Sequence, residues 1–544
     1  MKISKIKIST LLTLALLLSG LSLSMPSVAK DYYVRSDGGS AQQCNGLSNK
    51  SLAEKGENNG CAWNHPFQAL PPEGKPKISA GDTLYIGNGS YQMGHGAPGA
   101  GSCSSDYPWD CFMPAIPSGK DKLHPTRIVG EMTGKQCVNP PVLWGAERSS
   151  RIINLKGASN VEISCLNITD RDNCIEFYNP EKFPCEGCVK ACQRDKFPYG
   201  NWADTGLYAE DSDNVVLNNL RIHGMASQGI HAGRISNWQI NNTQIVANGM
   251  VGWDGDLAGP SSNSGTIVFR NTEIAWNGCS EDWKTGQPLP KSCWGQESGG
   301  YGDGIGLANS GGTWRFEDVV VHHNSSDGID LLYLDKTAKV EVSGLKAYAN
   351  AGNQLKISGS AEIENSVLNS NCSSFKAPLM REGDLCRAQG NTLSISLFSN
   401  SKVSLKHSTL TGEGDCLMIA SCKDESCNGS EKIQIDSSIF VGHKDWRAGD
   451  QTCLYWYGDG LVQDPFSMKY SLINDVKDLN ACPGEEMQCD KKPGLVNDSL
   501  ENFDGHLLPN SRAINSGNPA SSTNRDVDGN ERKNIPDIGA YESL

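Results

Sequence analysis

The sequence has too little positive charge to offset its acids. Against 62 Asp and Glu stand 48 Lys and Arg, a formal net charge of −14. That balance argues against nucleic acid as a partner. Beyond the N-terminal segment no apolar run is long enough to cross a bilayer, so no membrane span is expected. A sustained helical period is also missing. No cysteine stands at the small-residue site Ser27-Val28-Ala29, which argues against a lipid anchor.

That small-residue site ends a targeting segment. Lys2, Lys5 and Lys7 form a positive start, LLTLALLLSGLSL an apolar stretch, and the pattern reads as a signal peptide over residues 1–29. The mature chain is expected to start at Lys30 and to be secreted, extracellular or periplasmic. The 20 cysteines then read as disulfides in an oxidising compartment. Close spacing suggests Cys103 with Cys111, Cys279 with Cys293, Cys372 with Cys386, and Cys482 with Cys489. Cys185 and Cys188, with Cys174 and Cys192 near, also have zinc-ligand spacing, although the compartment favours disulfides.

Short alternating segments recur along the middle of the chain: VEISCLNI, VVLNNLRI, WQINNTQI, IVFRNTEI, WRFEDVVV, VEVSGLKA, AEIENSVL, VSLKHSTL and IQIDSSIF. Each reads as a strand, a one-residue bend and a second strand. The bend is often Asn, which tolerates the left-handed conformation of a sharp corner. Strands repeating every 21 to 30 residues predict an all-β chain: a right-handed parallel β-helix, a solenoid with disulfide-stapled loop insertions. A β-propeller is the runner-up, but the hairpin signals of its blades are missing. The expected organisation is an N-terminal cap and first coils over 30–155, a central β-helix carrying the site over 156–445, and C-terminal coils with a closing segment over 446–544. DYYVRSDGG at Asp31 and DVDGNERKNIPDIGAYES at Asp526 are expected to cap the exposed sheet edges.

Counting 14 residues on from the third residue of each repeat gives a register. Leu217 leads to His231, Ile240 to Asp254, Phe316 to Asp330 and Val342 to Lys356. After an insertion, Phe269 leads to Gly306. The flanking positions, such as Trp253, Ile329 and Leu331, are apolar, so alternation turns them inward and the charged column outward. Trp253 is expected in the core, and His231 as a surface residue or a sugar contact. Three residues before the charged column, Asp303 and Asp327 stack beside Asp330. Lys356 is expected one inter-strand spacing, about 4.8 Å, from Asp330. Three carboxylates this close repel one another unless protonated or bridged, and hard oxygens from several chain positions suit Ca²⁺. Asp254 is a further candidate ligand, because Gly306 leaves the place between empty. The plain alternative is a solvated acidic stripe.

YGDGIG around Asp303, HNSSDGIDL around Asp327 and Asp330, and GNQLKISG around Lys356 resemble the three signature blocks of family nine pectate lyases. The resemblance implies a right-handed β-helix with Asp303, Asp327 and Asp330 as calcium ligands and Lys356 as catalytic base. Ser326 stands where that pattern has an Asp, and Gln354 and Ser358 stand where it has glycines. The expected activity is cleavage of a uronic-acid polymer of the pectate type by calcium-assisted β-elimination, carried out by a monomer. The alternatives are a non-catalytic glycan-binding or surface-interaction β-helix and a glycoside hydrolase on the same fold.

Overall fold

The computed structural model describes residues 28–543 apart from 180, 182–189, 258–261, 294–301, 376–390, 447–448, 478, 480–481 and 522. The leader over residues 1–27, Cys185, Cys188 and Cys386 lie outside the described residues. Nearly all regular structure is β, wound as a parallel β-helix. One face is a ten-stranded sheet running from Ser149–Asn154 to Cys453–Tyr457, with each strand paired in parallel to the coil before and after it. The other two faces meet at one-residue bends. Asn219, Asn242, Asn271, Asp318 and Asn365 occupy them with φ between 45° and 53°. This is the left-handed region that Asn and Asp enter at low cost. Parallel pairing from coil to coil excludes propeller blades. Among the described residues the antiparallel pairs of strands are the small hairpins Cys279–Asp282 with Gln287–Cys293 and Leu495–Asn497 with Asp504–Leu507.

The register of the sequence repeat holds. Leu217, Ile240, Phe269, Phe316 and Val342 are successive partners on one face. Inward residues fill the coils: Ile230, Trp253, Ile305, Ile329 and Leu355 are all fully buried. Trp253 packs edge-on to Trp238 and Phe269, with ring centroids 5.8 and 5.4 Å away, so it belongs to the core as expected.

Three of the expected disulfides form: Cys103–Cys111, Cys279–Cys293 and Cys482–Cys489. Cys174 bonds Cys192, which removes two ligands from the zinc alternative. No helix of the described residues is long and apolar enough to cross a membrane. The strand Asp31–Gly39 pairs with Thr83–Ile86 as the first coil. The C-terminal segment differs from the expected cap. It runs along the outside of the solenoid, where Arg532 reaches Asn365 at 2.9 Å, the Gly539 N–H donates to the Ser437 carbonyl at 2.8 Å, and the Asn518 amide reaches Asp436 at 2.7 Å. Its Ile538, Val527 and Ala540 cover outward apolar residues such as Val367, Ile439 and Val441. These outward residues need cover from water, and this decides where the segment lies.

Candidate active site

The ten-stranded sheet presents one outward column: Tyr208, His231, Asp254, Gly306, Asp330, Lys356, Ser394, Ile419 and Trp456, each the partner of the next. Asp303 and Asp327 lie in the turns that lead into the strands Ile305–Leu307 and Ile329–Leu331. Each is followed by a glycine because successive turns approach closely. A Cβ on Gly304 would lie 2.4 Å from the Gly328 carbonyl oxygen.

Beneath these turns runs a ladder of buried amides. Asn248, Asn277, Asn324 and Asn350 donate in sequence, each to the next, at 2.8 to 3.0 Å, and Asn350 donates to Gln354 at 2.8 Å. Their own backbone N–H groups are satisfied along the same line, so the ladder fixes the height of every turn. Gln354, which replaces a glycine of the resembled pattern, ends the ladder.

The three acids converge. One carboxylate oxygen from each of Asp303, Asp327 and Asp330 lies within 4.8 Å of the others. The Asp303 Oδ1 accepts the Asp327 N–H at 2.9 Å. The Asp327 Oδ1 accepts the backbone N–H and the side-chain amide of Asn353, at 2.7 and 2.9 Å. Lys356 Nζ donates to Asp330 Oδ2 at 2.7 Å and to Asp327 Oδ2 at 3.1 Å. All three acids are buried, and the lysine side chain is 15% exposed.

Charge and burial compete here. Burial, and then the charge of Asp327, push the Asp330 carboxyl up to about 6, although Lys356 opposes them. Burial pulls the Lys356 ammonium down, but Asp327, Asp330 and Asp303 outweigh it and hold it above its ordinary value. The donor set is entirely hard oxygen. Two further buried oxygens in neighbouring residues have no hydrogen-bond partner among the described residues: Ser326 Oγ, on the residue before Asp327, and Asn353 Oδ1, on the amide that bonds Asp327. Carboxylates, a hydroxyl and an amide oxygen fit a hard divalent cation such as Ca²⁺.

Asp254 sits in the expected column, but its Oδ2 accepts from Gln228 at 2.5 Å and meets His231 Nδ1 at 2.7 Å, so it faces away from the trio. His231 also stacks on Tyr208, with centroids 4.9 Å apart, and burial competes with its bond to Asp254 to leave its pKa raised. It is a packed, ion-paired residue rather than a plain surface histidine. The repeat count did not reach Lys423, which follows the strand Cys416–Cys422 and whose charge interacts with Asp330 and Lys356. The amide ladder was also missed, although ANGM, WNGC, HNSS and ANAG each carry its Asn at the same place in the coil.

No protein-family model and no curated protein matches the chain. Among solved structures, the pectate lyase Pel9A is similar at 15% identity, over 95% of this chain and 97% of that one, with a TM-score of 0.40. A rhamnogalacturonan lyase is similar at 12% identity, over 86% and 91%, with a TM-score of 0.38. XylC, solved with xylose, is similar at 10% identity, over 94% and 98%, with a TM-score of 0.43. Identity this low carries no residue-by-residue correspondence.

Proposed function

We propose that this protein is an exported polysaccharide lyase that cleaves a uronic-acid polymer of the pectate type by β-elimination, with Lys356 as base and Ca²⁺ as cofactor. The observation that carries the reading is one amine held against buried carboxylates on an outward face: Lys356 Nζ at 2.7 Å from Asp330 and 3.1 Å from Asp327.

β-Elimination removes the proton at C5, beside the uronate carboxylate, and expels the glycosidic oxygen at C4. Lys356 would take that proton on Nζ as the C4–C5 double bond forms and the leaving oxygen takes a proton from water, and the ammonium bonded to Asp327 and Asp330 would be the state after it has done so. To act again it must return the proton to water. The two acids oppose that step for as long as their charge is spent on the lysine. Asp303, Asp327 and Asp330 would hold the calcium ion, with Ser326 Oγ and Asn353 Oδ1 as neutral donors. Bound there, calcium would neutralise the substrate carboxylate and stabilise the charge that builds on it as the proton leaves. The same acids then no longer hold the lysine protonated. Asn353 keeps Asp327 in place through both of its N–H donors. A hydrolase reading fits less well, since Asp327 and Asp330 converge on one ammonium instead of flanking an open gap.

The test is to incubate the protein with polygalacturonate and calcium and to follow the absorbance of the unsaturated product. Lys356→Ala is expected to abolish it. Reducing ends without that absorbance would show hydrolysis, and binding without either would show a carbohydrate-binding β-helix; each overturns the proposal.

A further inference from the structure

Lys423 and Tyr333 meet near the lysine–aspartate group: Tyr333 follows Asp330 in the same coil, and the charge of Lys423 interacts with Asp330 and Lys356. Lys423 Nζ lies 4.8 Å from the centre of the Tyr333 ring. Tyr333 comes three residues after Asp330 and is 51% exposed. Both backbones are fixed. The Lys423 N–H donates to the Leu397 carbonyl at 2.7 Å, and the Cys422–Cys427 disulfide adjoins it. The Tyr333 carbonyl accepts from the Ser310 N–H at 3.1 Å.

Asp330 and Lys356 both act on the charge of Lys423, yet among the described residues no carboxylate lies within ion-pair distance of its ammonium. A partly buried cation without an anion is unfavourable, and a neighbouring Lys356 adds repulsion. Lys356, by contrast, is bonded to Asp327 and Asp330. An arriving carboxylate would relieve Lys423. The exposed ring beside it offers an apolar face and a hydroxyl of the kind that pyranose rings pack against.

We propose that Lys423 and Tyr333 form a subsite that selects acidic sugars: the ammonium receives the carboxylate of a uronate unit next to the cleaved bond, and the phenol ring packs against that unit. The inference rests on the function proposed above and adds to it the means by which a neutral or esterified sugar is rejected. A site built around a charged partner discriminates against the analogue that lacks the charge, because its own cation is then left unpaired. Lys423 binds substrate in this scheme and moves no proton.

The experiment measures KM and kcat of the wild-type protein, Lys423→Gln, Lys423→Arg and Tyr333→Ala on polygalacturonate and on the same polymer methyl-esterified, with thermal melts to confirm folding. Lys423→Gln is expected to raise KM about 10-fold or more on the acidic polymer, the size of one lost charge-assisted contact. Its kcat should stay within about 3-fold, and its preference for acid over ester should narrow by about the factor lost in KM, the contact of calcium with the carboxylate of the cleaved unit remaining. Lys423→Arg keeps the charge and should restore most of that preference. Unchanged KM and preference in Lys423→Gln overturn the subsite alone, as does a fall in kcat with a displaced pH profile at constant KM, which would make Lys423 part of the proton transfer. If the wild-type protein neither cleaves nor binds the acidic polymer, the proposed function falls and the subsite with it.

Discussion

Replacing Lys356 with methionine removes the ammonium from the acidic group and keeps most of the side-chain volume. Asp303, Asp327 and Asp330 are then left buried with oxygens within 4.8 Å of one another and without their cation. The acids repel one another in both proteins; what the variant loses is the attraction of the ammonium, and removing one partner of a buried ion pair costs about 3–5 kcal/mol. The variant should therefore lose about 3–5 kcal/mol relative to the parent at pH 8 in a chelator. The sign with pH follows from Asp330, whose carboxyl stands at about 6 even with the lysine present. A carboxyl raised in the folded state adds no penalty below its unfolded pKa, and the penalty develops as pH rises through the folded value. The deficit should accordingly be small at pH 4.5 and full at pH 8. Calcium should reverse it at pH 8, by about 2.7 kcal/mol at a hundredfold excess over the dissociation constant. Urea unfolding followed by tryptophan fluorescence reads this directly, because Trp238, Trp253 and Trp314 are buried in the core and urea adds no ionic strength. Coincident midpoints for variant and parent at pH 8 in chelator would refute the idea that these acids are electrostatically coupled to the lysine.

Lys356→Arg should keep the unfolding free energy in urea within about 1 kcal/mol of the parent but abolish the unsaturated product, because a guanidinium does not release its proton in this range. In the parent, the acids hold the Lys356 pKa above its ordinary value, so the neutral base grows with pH. Turnover at low calcium should climb through the alkaline range, and added calcium should move that rise to lower pH; a pH profile that calcium does not move would contradict the proposed link between the acids and the base. Asn324→Ala removes the amide that accepts from Asn277 and donates to Asn350 and to the Ile274 carbonyl. It should cost about 2–4 kcal/mol in urea unfolding, since buried groups on both sides lose their partners.

The coil pattern was legible because it rests on local chemistry. Asn at the bends and alternation of apolar residues are enough to set the register from Leu217 to Val342, and the same count placed Asp330 and Lys356 in adjacent coils. The count works only while the coils keep their length. From Ile363 it lands on residue 377, whereas the partner of Lys356 is Ser394, because a long insertion intervenes. It recovers at Leu405, which leads to Ile419, but Lys423 reaches back toward Asp330 across several coils, and no local rule gives that direction. Asp254 illustrates a different gap. Its column follows from spacing, but its choice of His231 over the trio depends on side-chain rotamers and on competition between hydrogen bonds. The amide ladder shows the same difference, since an Asn in a turn reads as a turn former until its buried partners are known.

The outer run of the C-terminal segment changes how the solenoid can come apart. A stack whose coils touch only their neighbours frays from its open end, one coil at a time. Here Arg532 ties residue 365, Gly539 ties residue 437, and Asn518 ties residue 436 to a single stretch of chain. Peeling the last coil therefore means breaking contacts with coils well behind it. The C-terminal coils should open as one block, leaving the coils around Lys356 insulated from fraying at that end.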